Sequence, residues 1–168
     1  MLNPDHLLEL ANEEAQLHGA GAPRQAVLRR AVSSAYYALF HALMGCAAQV
    51  FVPAGYWKSR VLFYRALDHR TTRERCRRAG QNPLPQAESA FFDFETGSFP
   101  DSLRFVANEF VRLQELRHRC DYDPDFKIAK EQVVDAIATA RSAVDKLWAE
   151  SPAYRVPFLS YLLFGLRA

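Results

Sequence analysis

Apolar residues recur at intervals of three and four along most of the chain, which is the spacing of one face of an α-helix. In the second predicted helix, for example, Leu28, Val32 and Leu39 fall on one stripe. No stretch alternates between apolar and polar residues for long enough to predict a β-strand. The pattern therefore predicts an all-α fold, an up-and-down bundle of four to five helices. The predicted helices cover residues 4–19, 23–50, 57–78, 100–119 and 127–150.

Three parts of the chain have a less regular pattern. The third predicted helix either runs unbroken or is interrupted near His69. Residues 86–98 are too rich in phenylalanine for free solvent, so they form either a short helix or an ordered loop on the bundle. After Pro152, residues 154–166 are either a short amphipathic helix or an extended segment. We expect this C-terminal tail to cover either the bundle or a partner chain.

The length and composition favour one globular domain. The chain has 168 residues, of which 49% are hydrophobic and 24% charged, so a single domain over 1–168 with a core over about 5–150 is expected. Cys46, Cys76 and Cys120 have the spacing of neither a disulfide framework nor a zinc site. An acidic N-terminal segment replaces the basic start of a secretory signal. We therefore expect a cytoplasmic protein with no membrane association, no metal and no cofactor.

Charge is unevenly distributed along the chain. The net charge is only +2, but residues 58–78 contain eight lysines and arginines against two carboxylates, a net charge of +6. A segment this basic is either a phosphate-binding surface or a solvated helix face. The side chains expected to contact RNA in the first case are Lys58, Arg60, Arg65, Arg70, Arg73 and Arg77.

The fourth predicted helix continues its apolar stripe into an arginine. The stripe steps by three and four as far as Leu113, and its next position is Arg117. A guanidinium in that position needs a partner or a cleft. Asp121 follows four residues later, with His118 and Tyr122 beside it. Arg117 therefore forms either a structural ion pair with Asp121 that fixes the next turn or part of a functional cleft.

The second predicted helix carries a polar row opposite its apolar stripe. Arg30, Ser34, Tyr37 and His41 step by four, three and four residues. An exposed row would not need a tyrosine, and a buried row would not contain an arginine and a histidine. The helix is therefore expected to contact protein on both faces. Together with Arg117, this row predicts a shared polar cleft.

Two segments that contain these residues resemble a known family. Residues 28–42, LRRAVSSAYYALFHA, are similar to the helix-two signature of small prokaryotic proteins of the HEPN superfamily. Residues 116–123, LRHRCDYD, resemble the Arg-polar-x-Ala-Asp-Tyr-Asp motif of the same group. The resemblance spans residues 11–147 and implies a helical bundle that dimerises. In many members it implies a metal-independent endoribonuclease with a composite site across the dimer, and in some an antitoxin or nucleotidyltransferase partner.

By this resemblance, Arg117 corresponds to the motif arginine and His118 to the polar residue after it. Tyr122 stands where the family's histidine usually lies, and tyrosine is a poor general base because its unperturbed pKa is ~10. Proton transfer would then fall to His118 or to His41. A second register, Arg112 followed by His118, fits the family spacing but lies off the stripe. The chain is expected to be an RNA-directed HEPN endoribonuclease, a non-catalytic module that binds a nucleotide, RNA or protein, or a plain structural bundle.

Overall fold

The computed structural model describes residues 2–16, 24–92 and 94–166. Over these residues the fold is all-α, as predicted, with eight helices and no strand. The helices are α1 (Pro4–Gln16), α2 (Gln25–Phe51), α3 (Trp57–Tyr64), α4 (His69–Ala79), α5 (Gln86–Phe92), α6 (Asp101–Tyr122), α7 (Lys130–Ala149) and α8 (Pro152–Phe164).

Helix α2 forms the centre of the molecule. Helices α1, α6 and α7 all pack against it, and α3 and α8 contact it as well. The predicted stripe that includes Leu28 and Leu39 is buried, and so are Tyr36 and Ala38 on other faces. Because α2 is surrounded by protein, its polar row also meets neighbouring helices. The prediction that this helix contacts protein on both faces is confirmed.

The length and apolar composition of α2 also make it the one described helix that could cross a membrane on those criteria alone. However, 78% of the 18-residue apolar stretch of this helix is buried inside the protein. The central helix of a folded bundle meets the same criteria, so this property is weak support for a membrane location.

The start of α1 at Pro4 agrees with the predicted start of the first helix. The side-chain oxygen Oδ1 of Asn3 accepts a hydrogen bond from the backbone N–H of Asp5 at 3.0 Å, and Pro4 occupies the first helical position, where its missing N–H costs nothing. The predicted end of this helix near residue 19 and the predicted start of the next near residue 23 lie outside the described residues.

The predicted third helix is two separate helices, α3 and α4. Asp68 caps α4, because its Oδ1 accepts the backbone N–H of Thr71 at 2.8 Å. This cap is a helix-start signal inside an otherwise continuous pattern, and it places His69 at the first position of α4. The break, together with α5 and α8, gives more helices than the four to five that the periodicity predicts.

The C-terminal tail forms α8 and covers the protein's own bundle. Phe158 is fully buried and its ring lies 5.4 Å from that of Phe99. The ring of Tyr161 lies 5.8 Å from that of Phe92, at the end of α5. Phe92, Phe94 and Phe99 therefore pack against the apolar tail, which explains much of the apolar character of both segments, whereas Phe91 stays exposed.

Candidate functional site

Helix α6 continues as far as Tyr122, about one turn beyond its predicted end, and α2 holds its C-terminal end in place. The guanidinium of Arg29 on α2 donates hydrogen bonds to the carbonyl oxygens of Cys120 at 3.3 Å and Pro124 at 3.2 Å, and to that of Phe126. These carbonyls lie at the helix end and in the following turn, where backbone acceptors lack helical partners. The segment that carries the Arg117 motif is therefore rigidly attached to the central helix.

Arg117 lies between two aromatic rings at this end of α6. Its side chain is 22% exposed, and its Nε is 2.5 Å from Oδ2 of Asp121. The guanidinium carbon is 5.7 Å from the ring centroid of Tyr37 and 5.7 Å from that of Tyr122. Asp121 also accepts a hydrogen bond from the hydroxyl of Ser33 at 3.0 Å. The predicted Arg117–Asp121 ion pair is present, and it orients a guanidinium that remains partly open to solvent.

The other two motif residues are on the surface. The rings of His118 and Tyr122 lie 4.9 Å apart, and Tyr122 is 65% exposed. Within the described residues neither ring is enclosed by protein. These two side chains are therefore available to a ligand or to a second chain, and they are less constrained than Arg117.

The polar row of α2 divides between two environments. Arg30 and Ser34 both bind the buried Glu14 of α1: the Nε of Arg30 lies 2.9 Å from one carboxylate oxygen, and the Ser34 hydroxyl donates to the other at 3.0 Å. Tyr37 and His41 instead lie on the side of Arg117. Half of the row therefore lies near Arg117, and the other half anchors α1 to α2. The shared cleft stays a prediction.

The structure adds a histidine that the sequence did not single out as a site residue. His69, at the start of α4, has its Nδ1 2.6 Å from the hydroxyl of Tyr36. Its ring stacks on Phe40 with centroids 4.0 Å apart, and its carbonyl accepts a hydrogen bond from Gln114 of α6 at 2.9 Å. The sequence signal was only the helix break and its capping aspartate, because the contacts themselves come from two distant helices.

His69 and His41 form a histidine pair around one tyrosine. The ring centroid of Tyr37 is 6.1 Å from that of His41 and 6.0 Å from that of His69. His41 stacks on Tyr64 with centroids 5.5 Å apart, and its Nδ1 is hydrogen-bonded to the Tyr64 hydroxyl. Two imidazoles and one guanidinium therefore surround the ring of Tyr37.

The environment favours the neutral form of both imidazoles. Burial lowers the pKa of His69 below its ordinary value of 6.5, and the positive charge of Arg117 lowers it further. The pKa of His41 is lowered first by burial and then by the charge of His69. The pKa of Tyr36 is raised, chiefly because its hydroxyl is buried. At neutral pH the site thus contains neutral imidazoles beside a permanent cation.

A groove of about 450 Å³ between α4 and α6 opens beside this cluster. Arg73 of α4 faces Arg117, His118 and Arg119 of α6 across it. Arg119 is held with its guanidinium carbon 4.0 Å from the ring centroid of Phe126. The lining of this α4–α6 groove is Arg73, Gln114, Glu115, Arg117, His118 and Arg119. Three arginines and one carboxylate give the groove a net positive charge, which suits an anionic ligand.

Most cations of the basic segment have partners of their own. Within the described residues, Lys58 and Arg65 are exposed and make no ion pair. Only Arg73 of this segment lines the α4–α6 groove. The other contacts are Arg60 with the carbonyl of Val52, Arg70 with Glu74, Arg73 and Arg77 with Glu115, Arg75 with the carbonyl of Leu162, and Arg78 with Glu88.

The alternative register, with Arg112 as the motif arginine, points to the other side of α6. Arg112 lies 2.7 Å from Glu109 and 3.1 Å from Asp135, and it also donates a hydrogen bond to Thr139 of α7. It lines a second groove, of about 520 Å³, between α6 and α7. The lining of this α6–α7 groove is Arg112, Glu115, Leu116, Arg119, Glu131, Gln132 and Asp135. Arg112 and the histidine pair therefore do not share a site.

The fold and the site together define an all-α protein with a cationic groove beside two histidines. Among the described residues, no three histidine, cysteine, aspartate or glutamate side chains are grouped as a metal site requires. Comparison with protein-family models, with curated proteins and with solved structures finds no match in any of the three. The resemblance to the HEPN superfamily therefore stays a prediction.

Proposed function

We propose that this protein is an RNA-directed member of the HEPN superfamily, and that it cleaves single-stranded RNA without a metal ion at the α4–α6 groove. The observation that carries the proposal is the meeting of Arg73 from α4 with Arg117, His118 and Arg119 from α6 around one groove. The motif residues and one residue of the basic segment, which are about 40 positions apart in the chain, thus line the same surface.

The chemistry of the groove suits a phosphodiester. Guanidinium groups bind phosphate through paired N–H donors, and they are always charged at physiological pH. Arg117 is oriented by Asp121 and by the two tyrosine rings, so little side-chain freedom is lost on binding. Flexible single-stranded RNA is the favoured substrate, because in-line attack requires a deformable backbone.

The arrangement of the long helices is compatible with the proposed family. Helices α1, α2, α6 and α7 pack on one another around a single core, and the shorter helices lie against them. We propose a homodimer in which His118 and the exposed Tyr122 of two chains approach each other. The tail α8 buries Phe158, Leu159, Tyr161 and Leu162 in its own chain, so the proposed interface involves the end of α6. An antitoxin or a nucleotidyltransferase remains a proposed partner, and the cytoplasm the proposed location.

A non-catalytic binding module is the second candidate. The observation that favours it is the exposed Tyr122 at the position of the family's histidine, together with the close Arg117–Asp121 ion pair. In this case the same groove would bind RNA, a nucleotide or a protein partner without cutting it.

The first experiment measures both binding and cleavage of a labelled single-stranded RNA in EDTA. We expect the wild-type protein to bind and cut, Arg117→Ala to lose cleavage, and Arg141→Ala to behave as wild type. Arg141 is a suitable matched control because it lies on α7 and pairs with Asp5 of α1. Binding without cleavage by the wild type would favour the non-catalytic module. No binding at all would contradict the RNA proposal in both forms.

A further inference from the structure

Two histidines beside Arg117 are held in the same way. In each, Nδ1 is hydrogen-bonded to a tyrosine hydroxyl: His69 to Tyr36 and His41 to Tyr64. A hydrogen bond at one ring nitrogen fixes the orientation of an imidazole and leaves the other nitrogen for a ligand. Each ring is fixed by a partner from another helix. In the tautomer whose Nδ1–H donates to the tyrosine oxygen, Nε2 has the lone pair that accepts a proton.

The histidine pair lies next to residues of the α4–α6 groove, although neither histidine lines it. Tyr37 lies at the centre of the cluster, with its ring 6.1 Å from His41 and 6.0 Å from His69. The guanidinium carbon of Arg117, which lines the groove, is 5.7 Å from the same ring. His69 precedes the groove residue Arg73 by four positions on α4, so the two side chains are neighbours on one helix face. Both histidines are partly exposed.

We propose that His69 and His41 are the general base and the general acid of the RNA cleavage, while Arg117 binds the phosphate. This inference rests on the proposed function and deepens it. The Arg117 motif has a tyrosine where the family's histidine usually lies, and the fold places two other imidazoles, from α2 and α4, around Tyr37 beside Arg117. His118, which directly follows Arg117 in the motif, is exposed, and we assign it to phosphate binding.

The proposed step is a transfer of the phosphoryl group within the RNA. Nε2 of His69 accepts the proton of the ribose 2′-hydroxyl as the 2′-oxygen forms its bond to phosphorus. The bond from phosphorus to the 5′-oxygen breaks, and that oxygen takes a proton from Nε2 of protonated His41. The products are a 2′,3′-cyclic phosphate and a 5′-hydroxyl end. Nothing is oxidised or reduced, and solvent returns the two imidazoles to their starting protonation states.

The assignment of the two roles follows from their neighbours. The pKa of His69 is lowered by burial and then by the cation of Arg117, which favours the neutral, proton-accepting form, although the carboxylate of Asp68 acts in the opposite direction. The pKa of His41 is lowered by burial and then by the charge of His69. Since the pKa of both groups is lowered below 6.5, and one must be neutral and the other protonated, kcat/KM is expected to be highest below pH 6.5.

The test replaces each histidine and compares two substrates. His69→Gln and His41→Gln are expected to reduce cleavage of single-stranded RNA by roughly 10²–10⁴-fold, with RNA binding close to that of the wild type. His6→Gln, at an exposed position of α1, is the matched control and should cut RNA as the wild type does. A substrate with sulfur in place of the 5′-oxygen needs no acid, because a thiolate leaves unaided. It should restore cleavage by His41→Gln and not by His69→Gln.

A second, milder variant guards against loss of the fold. Tyr36→Phe keeps the buried ring and removes the hydroxyl that orients His69, so cleavage should fall by about three- to tenfold, the value of one hydrogen bond. The pH profile gives an independent readout. The acid limb of kcat/KM should disappear in His69→Gln and the alkaline limb in His41→Gln.

Each outcome separates this inference from the proposed function. If the wild type cuts RNA, and cleavage depends on Arg117 or His118 but on neither His41 nor His69, the inference is wrong and the proposed function stands. If the wild type binds RNA and does not cut it, the histidine assignment fails together with the catalytic proposal, and the binding module is favoured. Selective rescue of His41→Gln by the sulfur substrate supports the assignment directly.

Discussion

Two grooves of similar volume flank α6 and share Glu115 and Arg119, and they differ in charge balance. In the α4–α6 groove, three arginines and a histidine meet one carboxylate. In the α6–α7 groove, two arginines meet three carboxylates. The first groove has an excess of cations, whereas the second has none. A cleft that attracts a polyanion is therefore identified by its uncompensated charge, and its size does not distinguish it.

The arginines that best represent the two grooves also differ in their partners. Arg112 is bound by two carboxylates and a hydroxyl, and it ties α6 to α7. Within the described residues Arg117 makes one ion pair, with Asp121 of its own helix. An arginine with several protein partners has a structural role, whereas an arginine with a single local partner can still bind a phosphate. Both follow motif-like spacings in the sequence, so only the contacts separate their roles.

The largest expected effect comes from removing one arginine from each groove. Arg117→Ala should reduce RNA cleavage by ~10²–10³-fold, the usual effect of losing a group that stabilises transition-state charge. Arg112→Ala should leave cleavage nearly unchanged and lower the free energy of unfolding by roughly 1–2 kcal/mol, because it removes contacts between α6 and α7. Initial cleavage rates in EDTA and urea unfolding measure the two effects. Equal losses of cleavage in both variants would contradict the distinction between the grooves.

A smaller effect is expected at Arg73, on the α4 side of the cationic groove. Arg73→Ala should weaken binding of single-stranded RNA by about tenfold, and it should reduce the slope of log K against log salt by ~0.7, the contribution of one phosphate contact. Fluorescence anisotropy at several salt concentrations measures both quantities. Arg141→Ala, on α7, is the control and should change neither. An unchanged slope in Arg73→Ala would mean that RNA does not contact this side of the groove.

The helices and one ion pair could be predicted from the sequence because both depend on local spacing. The 3.6-residue periodicity identifies the buried stripes directly, and an arginine four residues before an aspartate is adjacent to it in any helix. Arg117 and Asp121 were found in this way. The sequence left open a break near His69 and helices at residues 86–98 and in the tail, and the structure forms α4, α5 and α8 there, so the count exceeds four to five.

The remaining site residues depend on contacts between distant segments. His69 gains its position only by meeting Tyr36, 33 residues earlier. Arg30 and Ser34 gain theirs from Glu14, on a different helix. Neither contact has a local spacing that could reveal it. The spacing of the polar row of α2 therefore could not show that half of it binds Glu14 and half lies near Arg117, and the role of the row in a site stays a prediction.

A further effect is expected at Glu115, the one carboxylate that both grooves share. Its Oε1 lies 2.6 Å from Arg73 and 3.2 Å from Arg77, so it competes with a phosphate for these guanidinium groups. Glu115→Gln should therefore increase the affinity for single-stranded RNA by roughly two- to fivefold, in the range of an exposed ion pair. Glu131→Gln, which changes a carboxylate of the α6–α7 groove, is the control and should leave the affinity unchanged. A loss of affinity in Glu115→Gln would contradict the competition.

The smallest expected effect is the pH dependence of stability at the same residue. The hydrogen bond from Arg73 is the main cause that lowers the pKa of Glu115 below its ordinary value of 4.5. A carboxyl with a lowered pKa in the folded state contributes stability above its unfolded pKa, and that contribution is lost as the pH falls through the folded value. Because both partners are substantially exposed, the contribution should be less than ~1 kcal/mol. Urea unfolding should therefore show Glu115→Gln slightly less stable than the wild type at pH 7, with the difference disappearing below pH 4.5. A difference that persists in acid would show that the glutamine disturbs packing and that the ion pair contributes little.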